Sequence, residues 1–457
     1  MTSMKSNMKR FVAVAASVTM IAGVAACGET NNTSDTAANT DCSAYKQYGD
    51  LKGKKVTVYT PWIDSEGDAT AKAFESFETC TGATVEHEGT KDMAAQLPVR
   101  VKAGSAPDIA IVAQPGWIKS FVDQGKVIAP SDEAAANVDK YYSQDWKDYA
   151  SIDGTLWAVP TDASAKSFVW YSPKLFKEKG YEVPKTWDEM LDLTKKIAKD
   201  NAGDQNVKPW AAGIEDGGAT GWVATDWVED AVLRFAGGDT YNKWVDHEIP
   251  FNDPAIVDAL EKVGEILKNN DYVNGGFGDS QSIATTAWQD AGMSLTDGSA
   301  YMMRQALFYQ SNFEGMDAGI DVSEDGDVWA FPLPGKSETD KAMTGGGDFA
   351  LAFADRPEVA AFQAWLGSPE YANARAAALS GWVTANTGLD SSKLKPIDKL
   401  AYDALTDKNT TFRFDGSDLM PNEVGSGSFW KQMVAYFAQD KSETEVLDAI
   451  EASWPQS

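Results

Sequence analysis

The 457-residue chain carries 68 acidic against 40 basic residues, a formal charge of −28 at neutral pH. Such a surface repels phosphate backbones and anionic headgroups, which argues against nucleic acid as a partner. Length and a 43% hydrophobic content are ample for two domains.

In chain order, Lys5, Lys9 and Arg10 precede an apolar run, Phe11 to Ala26. The run is shorter than the ~20 residues of a spanning helix and has the layout of a signal peptide over residues 1–26. It stops at Val24-Ala25-Ala26-Cys27, similar to the bacterial lipobox, in which the cysteine left after cleavage is lipidated. An ordinary signal peptide with a nearby cysteine is the alternative. Residues 27–44 read as lipidated Cys27 and a flexible polar tether. Acyl chains there would hold the protein at the outer face of the bacterial cell membrane through the lipid anchor only. Loss of residues 1–26 removes three basic residues and no acid, so −28 becomes −31. Outside the cell, Cys42 and Cys80 are expected to form a disulfide, with two free thiols as the alternative.

Lys55–Thr60 (KVTVYT) alternates and is β-branched, which predicts a strand. Ala69–Thr79 places Phe74 and Phe77 on one helical face, and Ala106–Ala113 reads as a buried parallel strand. Strand, helix, strand in this order argues for the α/β class. Thr186 and Glu189 have capping-box spacing at the head of a helix running to Asp200. Asp253-Pro254 starts another, with Ile256, Val257, Leu260, Val263 and Leu267 on its face. Val328–Pro332 and Phe349–Phe353 predict strands, and a helix from Pro357 to Leu366 closes at Gly367.

Enzyme signatures are scarce. There is no G-x-S-x-G elbow and no phosphate loop, and the two histidines, His87 and His247, belong to no metal-binding pattern. No catalytic residue, metal or cofactor is therefore expected. The 16 Trp, 15 Tyr and 19 Phe are more informative, because several lie in polar, Gly-rich stretches. Examples are Trp62 with Asp64 and Glu66, Gln114 with Trp117, Glu215 with Trp222, and Asp297 with Tyr301. Aromatic faces beside short acid and amide groups suit the C–H faces and hydroxyls of a neutral sugar.

The order of several segments carries a family resemblance. These are Gly104-Ser-Ala-Pro107-Asp108, Asp153-Gly154-Thr-Leu-Trp-Ala-Val-Pro160, Val183-Pro184-Lys185-Thr186-Trp187, Gly345-Gly346-Gly347-Asp348 and Gly381-Trp382-Val383. Residues 45–457 resemble family-1 extracellular solute-binding proteins, the sugar-capturing subunits of ABC importers, similar in fold to maltose-binding protein. Gly347–Phe353 is most similar to the α-glucoside-binding branch. The resemblance implies an α/β, two-lobed periplasmic-binding-protein-like fold, each lobe a mostly parallel sheet flanked by helices. Residues 45–162 plus 326–372 would form one lobe and 163–325 plus 373–457 the other. Hinge crossings would fall near Asp162–Lys166, Glu324–Asp327 and Tyr371–Arg375.

Carried over residue by residue, it implies ligand contacts from Trp62, Asp64, Glu66, Gln114, Trp117, Asp162, Glu215, Trp222, Asp297, Tyr301, Asp348 and Trp382. The expected protein is a monomer that captures an oligosaccharide by hinge closure and delivers it to permease membrane subunits. A same-fold receptor for a polyamine or other cationic solute is the alternative, followed by a surface glycoside hydrolase and, more distantly, an adhesin.

Overall fold

Thirteen strands emerge from the described residues, which in this computed structural model are 41–455 except 276–278, 317–318 and 408. The expected signal peptide, Cys27 and all but the last residues of the tether lie outside them. Those last residues enter a 3-10 helix, Cys42–Tyr48, whose Tyr45 and Tyr48 are buried. Cys42 is disulfide-bonded to Cys80, near the end of the Asp64–Thr81 helix. With the cysteines 38 positions apart in sequence, reduction is expected to cost ~4 kcal/mol by freeing the unfolded chain. Urea unfolding with and without reductant checks this; an unchanged midpoint would show that the cross-link contributes nothing.

In chain order the strands are β1 (Lys55–Thr60), β2 (Thr84–Gly89), β3 (Ile109–Val112), β4 (Ser151–Ile152), β5 (Thr155–Leu156), β6 (Val159–Ala165) and β7 (Phe168–Tyr171). They continue with β8 (Lys208–Ala211), β9 (Val273–Asn274), β10 (Ala300–Arg304), β11 (Trp329–Pro332), β12 (Ala342–Ala352) and β13 (Thr411–Phe414). One sheet has the order β13-β12-β3-β1-β2, with β6 also on β12; the other is β11-β7-β10-β8-β9. β1 pairs parallel with β2 and β3, and β8 parallel with β9 and β10. Within the two sheets every antiparallel pair involves β7 or β12. Each of these strands begins just after the chain has passed from one sheet to the other, so it enters against the local direction.

Those passages differ from expectation after the first. Lys166-Ser167 joins β6 to β7, as the first estimate had it. The second passage lies between Pro332 and Ala342, because β11 still pairs with β7 in the second sheet. The third follows Phe414, because β13 pairs with β12, whereas the helices from Gly416 onward pack into the second core through Met420, Val424, Phe429 and Met433. By strand pairing the second passage thus falls after the expected Glu324–Asp327, while before β13 the Pro396–Thr406 helix already packs Ile397 and Ala401 beside Phe168 and Trp170 of the second sheet. Strand pairing is long-range, and no local signal marks which sheet a strand joins.

The expected helices form where their caps stand. Thr186 accepts from the Glu189 backbone at the head of Trp187–Asp200, and Asp253 caps Pro254–Leu267. Gly345, Gly346 and Gly347 lie inside β12, and close approach leaves no room for a side chain at the first and third. A Cβ on Gly347 would collide with the Trp146 ring, and one on Gly345 with Phe412.

Candidate functional site

Register builds the site. β6 and β12 pair antiparallel so that Asp162 lies directly opposite Asp348, followed by a register shift at Phe349. Like charges in that position destabilise a sheet, so the pair stands out against folding alone. A bridge between Ala163 and Val383 brings Trp382 alongside, and the Thr384 hydroxyl donates to the Thr161 carbonyl.

The Pro369–Ala378 helix supplies the rest. The Tyr371 hydroxyl donates to Asp162 Oδ1 at 3.2 Å. One turn on, the Arg375 guanidinium lies 5.0 Å from the centroid of the Trp62 ring and 5.9 Å from that of Trp382. Arg375 is 0% exposed, yet its Nε, Nη1 and Nη2 find no hydrogen-bond partner among the described residues. Asp162 Oδ2 and Trp382 Nε1, both buried, are also without one. Stacking on indole faces leaves a guanidinium's edge donors free, and a buried donor that stays unpaired is costly.

Electrostatics point the same way. Burial pushes the Asp162 and Glu66 carboxyls above their ordinary values and Asp348 well above its own, while Arg375 opposes the rise in each. The patch is thus three acids around one cation, with burial pushing each carboxyl toward its protonated form and Arg375 opposing that.

Facing it from the second sheet is a wall of half-buried rings. Trp222 opens the Trp222–Phe235 helix and packs edge-on against Trp288 at 5.3 Å, with Phe308 at 6.1 Å. Its indole N–H donates to Asp216 at 3.0 Å, and the Lys166 ammonium lies 5.4 Å from its ring centre. The Gly381 backbone packs on Phe308, so this wall adjoins Trp382.

Beside the wall the three passages between the sheets meet in a buried ion network. Lys166 pairs with Asp226 and Asp415. Arg304 pairs with Asp226 and Asp230, and Arg234 with Asp230. Arg234 also donates to the carbonyls of Leu333, Pro334 and Ala342 on the second passage. Asp226, Glu229 and Asp415 bring carboxylate oxygens within 4.8 Å of one another, a spacing that could hold a metal. The Lys166 ammonium already neutralises two of them, so the set serves the network.

Of the sequence-derived candidates, Trp62, Glu66, Asp162, Asp348 and Trp382 come together around Arg375, and Trp222 faces them. Gln114 instead donates to Asp418 at 3.1 Å and belongs to the edge of the ion network. Glu215 accepts from the Gly217 backbone and shapes its own loop. Asp64 is exposed at the start of its helix, with φ +48°.

Three candidates lie apart from this patch. Trp117 is packed edge-on against Phe121 in the first core, because its helix turns that face inward. Asp297 is exposed and accepts from Ser299, and Tyr301 donates to Asn201 and packs against Tyr181. Both belong to the start of β10, whereas the wall and network meet its other end at Arg304. Sequence reading missed Arg375, Tyr371, Lys166, Asp216, Trp288 and Phe308. The one available signal was Arg375 itself, a lone basic residue in the Ala-rich helix PEYANARAAA, four positions after Tyr371. Two surface depressions of about 270 Å³ lie elsewhere, beside Lys268 and beside Lys195.

Two α/β sheets joined three times around buried indoles, carboxylates and one guanidinium form the architecture of a solute receptor. The chain belongs to the bacterial extracellular solute-binding protein family, whose model matches residues 62–373. It is 37% identical over 91% of its length to the osmoprotective compounds-binding protein of Synechocystis sp., covering 96% of that protein. It is 36% identical over 90% of its length to the alpha-glucosides-binding periplasmic protein of Rhizobium meliloti, covering 89% of it. In fold it is similar to a bacterial solute receptor with a substrate preference for β-D-galactopyranose (TM-score 0.72, 19% identity, 87% of this chain and 98% of that one). It is also similar to a maltose-bound receptor of T. maritima (TM-score 0.66, 17% identity, 87% and 98% covered).

Proposed function

We propose that the protein is the sugar-capturing subunit of an ABC transporter and that its ligand is a neutral α-glucoside or a related di- or trisaccharide. The observation that carries this reading is the Arg375 guanidinium, fully buried between Trp62 and Trp382 with all three nitrogens unpartnered. Beside it stand a free acceptor on Asp162 and the Tyr371 hydroxyl. Vicinal sugar hydroxyls need a donor and an acceptor side by side, and a pyranose C–H face fits an indole. A polyamine would have to approach the Arg375 charge, which disfavours the cationic alternative. The relative named for alpha-glucosides supports the substrate class.

On this reading the ligand leaves chemically unchanged. The two sheets with their helices act as lobes that close on it, Cys27 carries the lipid anchor, and a monomer docks on the permease. The test is calorimetric titration of residues 41–457 with maltose, trehalose, sucrose, isomaltose, panose and raffinose, alongside spermidine. A low-micromolar or tighter site for an α-glucoside, with affinity indifferent to salt and the sugar recovered intact, is the expected result. Binding of spermidine alone, weakening as salt rises, would replace this substrate with a cationic one.

A further inference from the structure

The Trp62 ring on which Arg375 lies is held from behind by a short relay. The Trp62 backbone N–H donates to Thr60 Oγ1 at 3.2 Å, and Thr60 Oγ1 lies 2.7 Å from His87 Nε2. Thr60 is 0% exposed. Its hydroxyl uses one lone pair on Trp62, and the proton it carries needs an acceptor. His87 Nε2 is placed to be that acceptor, which requires the neutral imidazole with its proton on Nδ1. The same segment is clamped from the other side, since a Cβ on Gly89 would strike the Trp62 carbonyl. Neither histidine of the chain belongs to the ligand contacts described above, so this geometry gives His87 a task of its own.

We propose that His87 is a positioning residue for ligand capture: its neutral Nδ1–H form accepts the Thr60 hydroxyl, which fixes the Trp62 backbone and, through it, the ring that supports Arg375. The inference rests on the reading of the Arg375 patch as the ligand site. The surroundings favour the neutral form. Burial and the Arg375 charge lower the His87 pKa, and Asp68 opposes them. These two charges come from the Pro369–Ala378 and Asp64–Thr81 helices packed against it. Its strand neighbours Glu86 and Glu88 pair with Lys55 and Arg100, and Phe74 packs edge-on at 6.3 Å. A proton on Nε2 would turn the imidazole into a donor, strand the Thr60 hydroxyl proton and set a second cation beside Arg375. Ligand affinity is therefore predicted to fall on the acid side of the ordinary histidine range.

The test compares the parent protein with His87→Gln, whose amide oxygen can accept the Thr60 hydroxyl, and His87→Leu, which cannot. Titration with maltose, trehalose and sucrose from pH 8 to 5 should show His87→Leu weakened roughly tenfold at pH 7.5, the scale of one buried hydrogen bond. His87→Gln should keep the parent affinity at pH 7.5 and lose the acid-side fall. Equal affinity in all three proteins, or the same acid-side fall in His87→Gln, would overturn the proposal. Imidazole 15N NMR of the ligand-free protein judges the relay separately from the substrate. An Nδ1–H tautomer with an unprotonated Nε2 supports it, and an Nε2–H tautomer overturns it. If the tautomer is Nδ1–H and none of the sugars binds, the substrate reading falls while the relay stands.

Discussion

Arg375→Met should reduce sugar affinity by at least about 100-fold while leaving the protein folded. The guanidinium lies beside the Trp62 and Trp382 rings with all three nitrogens unpartnered among the described residues. Two hydrogen bonds from a charged donor, each worth ~1.5–3 kcal/mol, account for a loss of that size. Methionine keeps much of the stem volume and makes favourable sulfur contacts with indoles, so the cavity term stays small. Removing the cation also leaves Glu66, Asp162 and Asp348 without the charge that opposes their upward shifts. Arg375→Lys should recover only part of the affinity, because an ammonium is a point charge and lacks the planar fork. Calorimetric titration and thermal unfolding of the same samples decide the matter. Unchanged affinity combined with a large fall in Tm would make Arg375 a structural residue and remove the observation on which the proposed function stands.

The largest loss of stability is expected from Asp230→Ala. Asp230 is 1% exposed and accepts from Ser167, from Thr344 at 3.1 Å, from Arg234 at 2.6 Å and from Arg304 at 2.6 and 2.9 Å. Its removal leaves the buried Arg234 guanidinium without its carboxylate partner and Arg304 with Asp226 alone, and an uncompensated buried charge costs about 3–5 kcal/mol. A fall in the denaturant midpoint of that size, or loss of soluble protein that Asp230→Asn partly restores, is the expected outcome. A midpoint within experimental error of the parent would show that the network contributes little to folding.

The same network has a pH signature with two signs. Burial raises the Asp230 and Asp415 carboxyls, but Arg234 and Arg304 around the first and Lys166 beside the second outweigh it, placing Asp415 at about 2. Their stabilisation is present above the ordinary carboxylate value and is lost as pH falls through the depressed one. Burial and neighbouring acids push Glu229 and Asp418 well above their ordinary values. Their contribution is full in acid and is lost as pH rises through those raised values. Lys166, Arg234 and Arg304 thus hold Asp230 and Asp415 toward the charged form, while burial raises Asp226 to about 6 despite Lys166 and Arg304 beside it.

Much of the site was legible, though unevenly. Trp62 and Glu66 were singled out because they follow a clear strand, and Asp348 through the resemblance carried by Gly345-Gly346-Gly347-Asp348, a run that lies inside β12 and not in a loop. The sequence did not show that Trp117 and Tyr301 pack inward, apart from the Arg375 patch, because an aromatic residue beside polar neighbours has the same local signature whether its helix or strand face turns inward or outward. Arg375 was passed over because nothing adjacent in the chain says that two indoles will enclose it.

The amino-acid sequence by itself determined the α/β class, the strand at Lys55–Thr60, the capped helices at Thr186 and Asp253, and the membership of the solute-binding family. The class, the strand and the capped helices follow from dihedral preference, periodicity and caps, which act over a few neighbouring residues, whereas the family was indicated by the order of the resembling segments. Only the tertiary structure decided where the chain passes between sheets and which charges meet. Asp162 faces Asp348, Arg375 lies beside Trp62 and Trp382, and Asp230 meets Arg304 because long-range strand pairing and helix docking brought them together, whereas Asp230 and Arg234 are neighbours one turn apart on a single helix. That burial removes water from these groups, and the loss of water gives their charges and unpaired donors the energy to bind a ligand or to hold the fold.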